Sequence, residues 1–248
     1  MAVFEALLEL ADDHLILGHR LSEWCGHAPM LEEDLAMPNM GLDLIGTART
    51  LYDQAGKLEG KGRSEDDLAY LRGEREYRNC LLVERPNADF AHTMLRQLYF
   101  AAFMRPYWLA ALTSTDEVVR GVAGKAEKEM AYHIRHAGEW VIRLGDGTAE
   151  SAARMRDAVE GLHIYVDELF ESSDAAQEAE AAGILPVRAD MRAAWDRTVA
   201  DVFTEALLEQ PSAAYAQRGG RQGIHNETLG HLLAEMQVVH RAYPGARW

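Results

Sequence analysis

The stretch EKEMAYHIRH, residues Glu127–His136, decides the fold class because it lies in a long segment whose apolar residues recur at helical spacing. The segment is predicted as a helix from about Asp116 to Leu144, and the sequence GDGT that follows it is a stop signal. Its predicted inward stripe consists of Val119, Val122, Ala126, Met130, His133, Ala137, Trp140 and Leu144. The alternation typical of β-strands is nearly absent from the chain, so the pattern predicts an all-α protein.

Similar stripes predict long helices on both sides of this segment. Their approximate ranges are Phe4–Cys25, Glu32 or Pro38 to Leu58, Asn87–Thr113 with a kink at Pro106, Ala152–Phe170, Arg188–Glu209 and Thr228–Ala242. The first two helices are separated from the next two by a long polar connection that is expected to hold short helices. This is the wiring of a ferritin-like four-helix bundle with one crossover. With no repeat or linker in sight, residues 1–248 are predicted to form a single ferritin-like helical domain with additional helices.

Composition and charge exclude several classes of partner. The formal net charge of the 248 residues is −15, which argues against binding of nucleic acid or of an anionic membrane surface. Cys25 and Cys80 are far apart and show no metal or redox spacing. The N-terminus is acidic, and no apolar run approaches the roughly 18 residues of a membrane span. We therefore expect a cytoplasmic protein.

The helical pattern raises the question of a di-iron site. A carboxylate-bridged di-iron bundle takes a Glu from each of two helices and Glu-x-x-His from each of the other two. Four positions near the apolar stripes could supply carboxylates: Asp12 or Asp13, Asp43 and Glu129. The positions three residues after Asp43 and Glu129 are Gly46 and Tyr132, so both histidines are missing. We predict a degenerate site that holds no metal, because scattered carboxylates without imidazole bind it weakly.

A buried polar network is the expected replacement for the metal. Glu129, Tyr132 and His133 are the candidates, since unpaired polar groups are costly in a core. On the structural interpretation, His133 is a hydrogen-bonded core histidine with Glu129, four residues earlier, as its partner.

The alternative is an independent di-iron oxygenase. The sequences DFAH and EGLH place Asp89/His92 and Glu160/His163 at carboxylate-x-x-His spacing, and Asp43 with Glu129 would complete the set. Against it, Asp89 falls in the first turn of its helix, where a carboxylate usually serves the helix dipole. The Glu160/His163 pair flanks its apolar stripe rather than forming the centre.

Two other motifs favour simpler interpretations. The sequence RGGRQG, residues 218–223, has glycines and arginines, but no strand precedes it, so a phosphate-binding loop is unsupported. A metal-free module that binds an acyl-CoA or another protein is a third hypothesis. The strongly negative charge makes a CoA phosphate site less favourable unless basic residues cluster locally.

Long, uncommon strings run through nearly the whole chain and carry a resemblance to a known family. They are LILGHRLSEWCGHAPMLEEDLA (15–36), NMGLDLIGTAR (39–49), LEGKGRSEDDLAYLRGEREYRNCLLVERPNADFAHTMLRQ (58–97), HLLAEMQVV (231–239) and PGARW (244–248). The chain closely resembles the C subunits of the phenylacetyl-CoA epoxidases, the PaaC family of the bacterial multicomponent oxygenases.

The resemblance implies a ferritin-like fold and a place in an assembly that epoxidises the aromatic ring of phenylacetyl-CoA with oxygen and electrons from an NADPH-dependent reductase subunit. It implies that the di-iron centre belongs to the sister A subunit and that the C subunit holds no cofactor and no catalytic residue. The implied partners are the A subunit, in a heteromeric core, and other subunits of the complex. A homodimer is expected when the chain is alone. Aromatic residues of the tail, Tyr243 and Trp248, are candidate anchors for docking.

Overall fold

The computed structural model describes residues 1–211 and 215–246, and within them the protein is all-α, as predicted, and consistent with a ferritin-like helical bundle. The α-helices are α1 (Ala2–Ser22), α2 (Leu31–Glu59), α3 (Glu65–Tyr70), α4 (Leu81–Glu84), α5 (Phe90–Ala111), α6 (Glu117–Gly145), α7 (Ala149–Leu162), α8 (Asp174–Ala181), α9 (Arg192–Glu205) and α10 (Glu227–Ala242). No helix in these two ranges is long and apolar enough to cross a membrane.

The chain divides into two compact units. Unit 1 comprises residues 1–86 and 219–248, and unit 2 comprises residues 87–218. The single ferritin-like domain therefore stays a prediction, as does the four-helix arrangement that would require helices of both units. Trp248, proposed above as an anchor, lies outside the described residues, and Tyr243 is exposed.

The long helices are found close to their predicted positions, and the differences have local causes. Helix α5 begins three residues later than predicted because Asp89, not Asn87, is the N-cap. Helix α7 ends at Leu162, and the residues up to Phe170 form two 3-10 turns instead. Helix α8 was not predicted, and only small residues of it, Ala176 and Ala179, are buried, so it lacks the large apolar stripe that marks a helix in a sequence.

In unit 1, α1 and α2 form a closely packed antiparallel pair. A Cβ atom added to Gly18 would lie 2.8 Å from Ile45 Cγ1 and 3.0 Å from the carbonyl oxygen of Gly41. A Cβ atom on Gly41 would in turn lie 3.0 Å from the carbonyl oxygen of Gly18. The two glycines therefore allow the backbones to approach more closely than larger residues would. Helix α4 packs against α1, and α10 packs against α3.

In unit 2, α5 and α6 form the longest pair, and α7 and α9 pack against both of them. The side chain of Asp116 caps α6 by accepting hydrogen bonds from the backbone N–H groups of Val118 and Val119. An aromatic cluster joins α5, α9 and the turn after α7: Tyr99, Phe103, Phe170, Trp195 and Phe203. The buried indole N–H of Trp195 donates to the carbonyl oxygen of Tyr99 at 2.9 Å.

We predict opposite effects for two glycine substitutions. Gly18→Ala should destabilise the protein by about 1–3 kcal/mol, because the new methyl group meets the backbone of α2. Gly121→Ala in α6 should stabilise it by about 0.5–1 kcal/mol, because nothing lies within 4 Å of the added Cβ and alanine is the better helix former. Urea unfolding of both variants measures the two changes. Equal effects would contradict the close approach of α1 and α2.

Candidate functional site

The strongest concentration of buried charge lies in unit 1, on α1. Glu9, Asp12 and Asp13 are all buried, although α1 is otherwise mostly apolar. Buried carboxylates need partners, because an isolated ionised carboxylate is very costly in a protein interior. The partners come from the connection between α2 and α5 and from the segment before α10.

Asp12 is paired with Arg72, which is buried in the connection after α3. The guanidinium donates to both carboxylate oxygens of Asp12, one of them at 3.0 Å. The hydroxyl of Tyr52 and the backbone N–H of Arg78 also donate to this carboxylate, the latter at 2.7 Å. The guanidinium carbon of Arg72 lies 4.3 Å from the centroid of the Tyr77 ring, a cation–π geometry. Burial by itself lowers the pKa of Arg72, but the charges of Asp12 and Tyr52 outweigh it and raise that pKa.

Asp13 is paired with Arg221, and the geometry is bidentate. The two terminal nitrogens of Arg221 donate to the two carboxylate oxygens at 2.9 and 2.8 Å. The backbone N–H of Cys80 donates to the same carboxylate at 2.7 Å. Both charged side chains are almost fully buried. Burial by itself lowers the pKa of Arg221, but the charge of Asp13 makes the largest contribution that raises it, and the net pKa is raised.

Glycines allow the loop that carries Arg221 to reach this depth. A Cβ atom on Gly220 would lie 2.1 Å from the carbonyl oxygen of Asn79, so only glycine fits there without movement. Gly223 has a φ of +74°, and its Cβ would lie 2.4 Å from the carbonyl oxygen of Arg75. The glycines of the RGGRQG motif thus serve close docking of the loop on the connection.

A third buried pair, Glu84 and His225, holds the start of α10. The Glu84 carboxylate accepts hydrogen bonds from the Asn79 amide at 3.0 Å and the Asn226 backbone N–H at 2.9 Å. His225 Nδ1 lies 2.7 Å from the same carboxylate, and its Nε2 lies 3.0 Å from the carbonyl oxygen of Tyr77. Because both ring nitrogens face acceptors, this geometry requires the doubly protonated imidazolium. Burial by itself lowers the pKa of His225, but hydrogen bonding to Glu84 and its charge outweigh burial and raise that pKa.

These contacts decide what the α1 carboxylates can do. Every carboxylate oxygen of Asp12 and Asp13 accepts at least one hydrogen bond, and each carboxylate faces a guanidinium. A metal ion would have to displace a buried arginine, whose positive charge would then be left without its partner. The two aspartates therefore do not fit a metal site, and their geometry is that of a structural ion-pair network.

The other predicted positions of the degenerate site have ordinary helix surroundings. Asp43 and Gly46 are half-buried on α2, and the Gly46 carbonyl oxygen accepts a hydrogen bond from the Thr50 hydroxyl at 3.1 Å. Glu129 forms an ion pair with Lys125 one turn earlier on α6, at 2.5 Å.

The expected network on α6 is represented by separate contacts. His133 is buried, and its Nδ1 lies 2.9 Å from the Gln97 amide nitrogen on α5. Tyr132 is 39% exposed, and its ring lies edge-on to that of His133 at 6.1 Å. Gln97, which sequence reasoning did not single out, is thus a partner of the core histidine. A network that joins Glu129, Tyr132 and His133 stays a prediction.

The residues of the alternative di-iron set in unit 2 occupy different environments. Asp89 caps α5 by accepting from the His92 backbone N–H at 2.9 Å, and it lies 2.7 Å from the His92 ring. This agrees with the helix-terminus role expected for Asp89. Glu160 is exposed, whereas His163 is buried in the turn after α7 against Tyr99, and burial lowers the pKa of His163.

Across residues 1–211 and 215–246, no group of three or more His, Cys, Asp or Glu side chains is arranged to hold a metal ion. Sequence reasoning identified Asp12 and Asp13 but missed Arg72, Arg221 and His225 as their surroundings. The glycines beside Arg221 were the one local signal of a tightly docked arginine.

Two comparisons with known proteins bear on this site. Residues 1–248 match the family described as phenylacetic acid catabolic protein. The chain is also 42% identical, over 241 residues that cover 97% of both chains, to the C subunit of the 1,2-phenylacetyl-CoA epoxidase of Escherichia coli strain K12. Both matches extend over nearly the whole chain, so neither depends on a single motif.

We predict that Arg221→Met destabilises the protein by about 3–5 kcal/mol, because it leaves the buried Asp13 carboxylate without its countercharge. The double variant Asp13→Asn/Arg221→Met should recover part of that loss, because it removes both charges. Chemical unfolding of the two single variants and the double variant measures the coupling. Additive losses would contradict the ion pair.

We also predict a pH-dependent contribution of His225 to stability. Its pKa is raised above the ordinary value of 6.5 in the folded protein. The stabilisation is therefore complete below pH 6.5 and is lost as the pH rises through the folded pKa. His225→Gln should remove this loss, while His231→Gln at an exposed position of α10 should leave it unchanged. Unfolding free energies between pH 5 and 9 provide the test, and parallel curves for wild type and His225→Gln would contradict it.

Proposed function

We propose a function from one premise: the chain belongs to the phenylacetic acid catabolic protein family. We infer that it is a non-catalytic structural subunit of a multicomponent phenylacetyl-CoA 1,2-epoxidase in aerobic phenylacetate degradation. In this proposal it pairs with the catalytic A subunit, which carries the di-iron centre, and holds no cofactor itself. The name of the Escherichia coli relative supports the place in the complex.

The pairing of the α1 aspartates with buried arginines is the observation that carries the structural role. Asp12 and Asp13 are the buried acids of the first long helix, and Arg72 and Arg221 supply positive charge at their side chains. The charge balance of this interior is thus met by the chain's own cations. A chain arranged in this way keeps its packing without a metal ion, which is what a supporting subunit requires.

The second step concerns how such a subunit would act. A metal-free relative with a similar helical outline can pack against its catalytic sibling in a pseudo-symmetric manner and bury apolar surface there. Its contribution is then to the stability and geometry of the heteromeric core. On this proposal no residue of the chain contacts the reacting atoms.

We expect the purified chain to bind no stoichiometric iron when it is incubated with ferrous iron and then exposed to oxygen, and to develop no oxo-bridge absorption band. The catalytic subunit, treated in parallel, is the positive control. His163→Ala should change neither result. Stoichiometric iron with an oxo-bridge band that depends on His163 would instead support an independent di-iron oxygenase.

We further expect the chain to co-purify with the catalytic subunit as one stable species. Size-exclusion chromatography of an equimolar mixture, with light scattering to give the mass, is the measurement. Elution of the two chains as separate species at micromolar concentration would contradict the proposed assembly.

A further inference from the structure

The outer face of α2 carries an exposed row of leucines. Leu31, Leu35 and Leu42 are 70, 59 and 65% exposed. They are spaced by four and seven residues, so 3.6 residues per turn places them on one face of the helix, with the half-buried Pro38 between them. We call these three leucines and Pro38 the leucine stripe. Single exposed leucines are ordinary, but an aligned group on one rigid helix marks an interaction surface.

The leucine stripe lies on the side of α2 opposite to its buried face. The buried positions in this part of the helix include Met37, Met40 and Leu44. At Gly41 the helix is held against α1 by backbone contact, so the outer face has a fixed shape. A preformed surface of this kind loses little conformational entropy on binding.

Charge around the leucine stripe selects the partner. Residues 31–48 contain four acids, Glu32, Glu33, Asp34 and Asp43, and no Lys, Arg or His. Two copies of this segment face to face would bring like charges together, and the whole chain carries −15. Charge complementarity therefore favours a different chain whose apolar face is bordered by Lys and Arg.

We infer that the leucine stripe docks an amphipathic helix of the catalytic subunit, with an apolar face flanked by basic residues. The inference rests on the proposed function, because that function supplies the heteromeric partner. It goes further in assigning the contact to one face of α2 and in stating the chemistry of the surface that meets it.

The test compares two changes on the same helix. Leu35→Gln/Leu42→Gln removes the centre of the leucine stripe, and Leu58→Gln is the matched control, since Leu58 is 48% exposed but lies on the other side of α2. The dissociation constant of the full-length chain for the catalytic subunit is measured by calorimetry, at low and at high salt. Thermal unfolding of each variant by circular dichroism confirms that it is folded.

We expect the double variant to weaken binding at least about tenfold, as the loss of interface anchors does, and Leu58→Gln to leave it unchanged. Wild-type affinity should also fall with added salt. If the wild type binds and the folded double variant binds equally well, the leucine stripe is not the docking surface, and the proposed function stands. If the wild type does not bind, both proposals fall. If the double variant changes only self-association, the second copy is the occupant and the inference is overturned.

Discussion

The bidentate ion pair between Asp13 and Arg221 is the constraint on which much of unit 1 depends. It joins residues 208 positions apart and brings the segment before α10 against the first helix. The loop that carries Arg221 can reach this position only because glycine at 220 lets its backbone touch that of Asn79. Loss of the ion pair would therefore affect the attachment of the C-terminal helix as well as the charge of the core.

The three buried pairs of unit 1 form a layered support. Arg72 ties the connection after α3 to α1, Arg221 ties the last segment to α1, and His225 ties the start of α10 to Glu84. A buried ion pair is expensive to desolvate, and apolar residues of equal volume would often be as stable. What the pairs provide is specificity, because each arginine fits only the position where a carboxylate awaits it.

Core and surface have separate roles in the proposed supporting subunit. The arginines meet the charge of the α1 carboxylates inside, and the leucine stripe of α2 offers apolar area outside. The two are connected through α2, since Tyr52 on that helix donates to Asp12 while Gly41 fixes its distance from α1. The interior network thus helps to hold the shape of the face that is proposed to meet the partner.

The sequence by itself determined the all-α class, the position of the long helices and the helix-terminus role of Asp89, because helical periodicity and capping are local signals. It also identified Asp12 and Asp13 as acids near the core. The tertiary structure alone decided their meaning, because Arg72 and Arg221 lie 60 and 208 residues away and no periodicity links them to α1. It likewise ended α7 at Leu162 and made Gln97 the partner of His133, since contacts between elements, unlike spacing along one helix, appear only when the chain is folded.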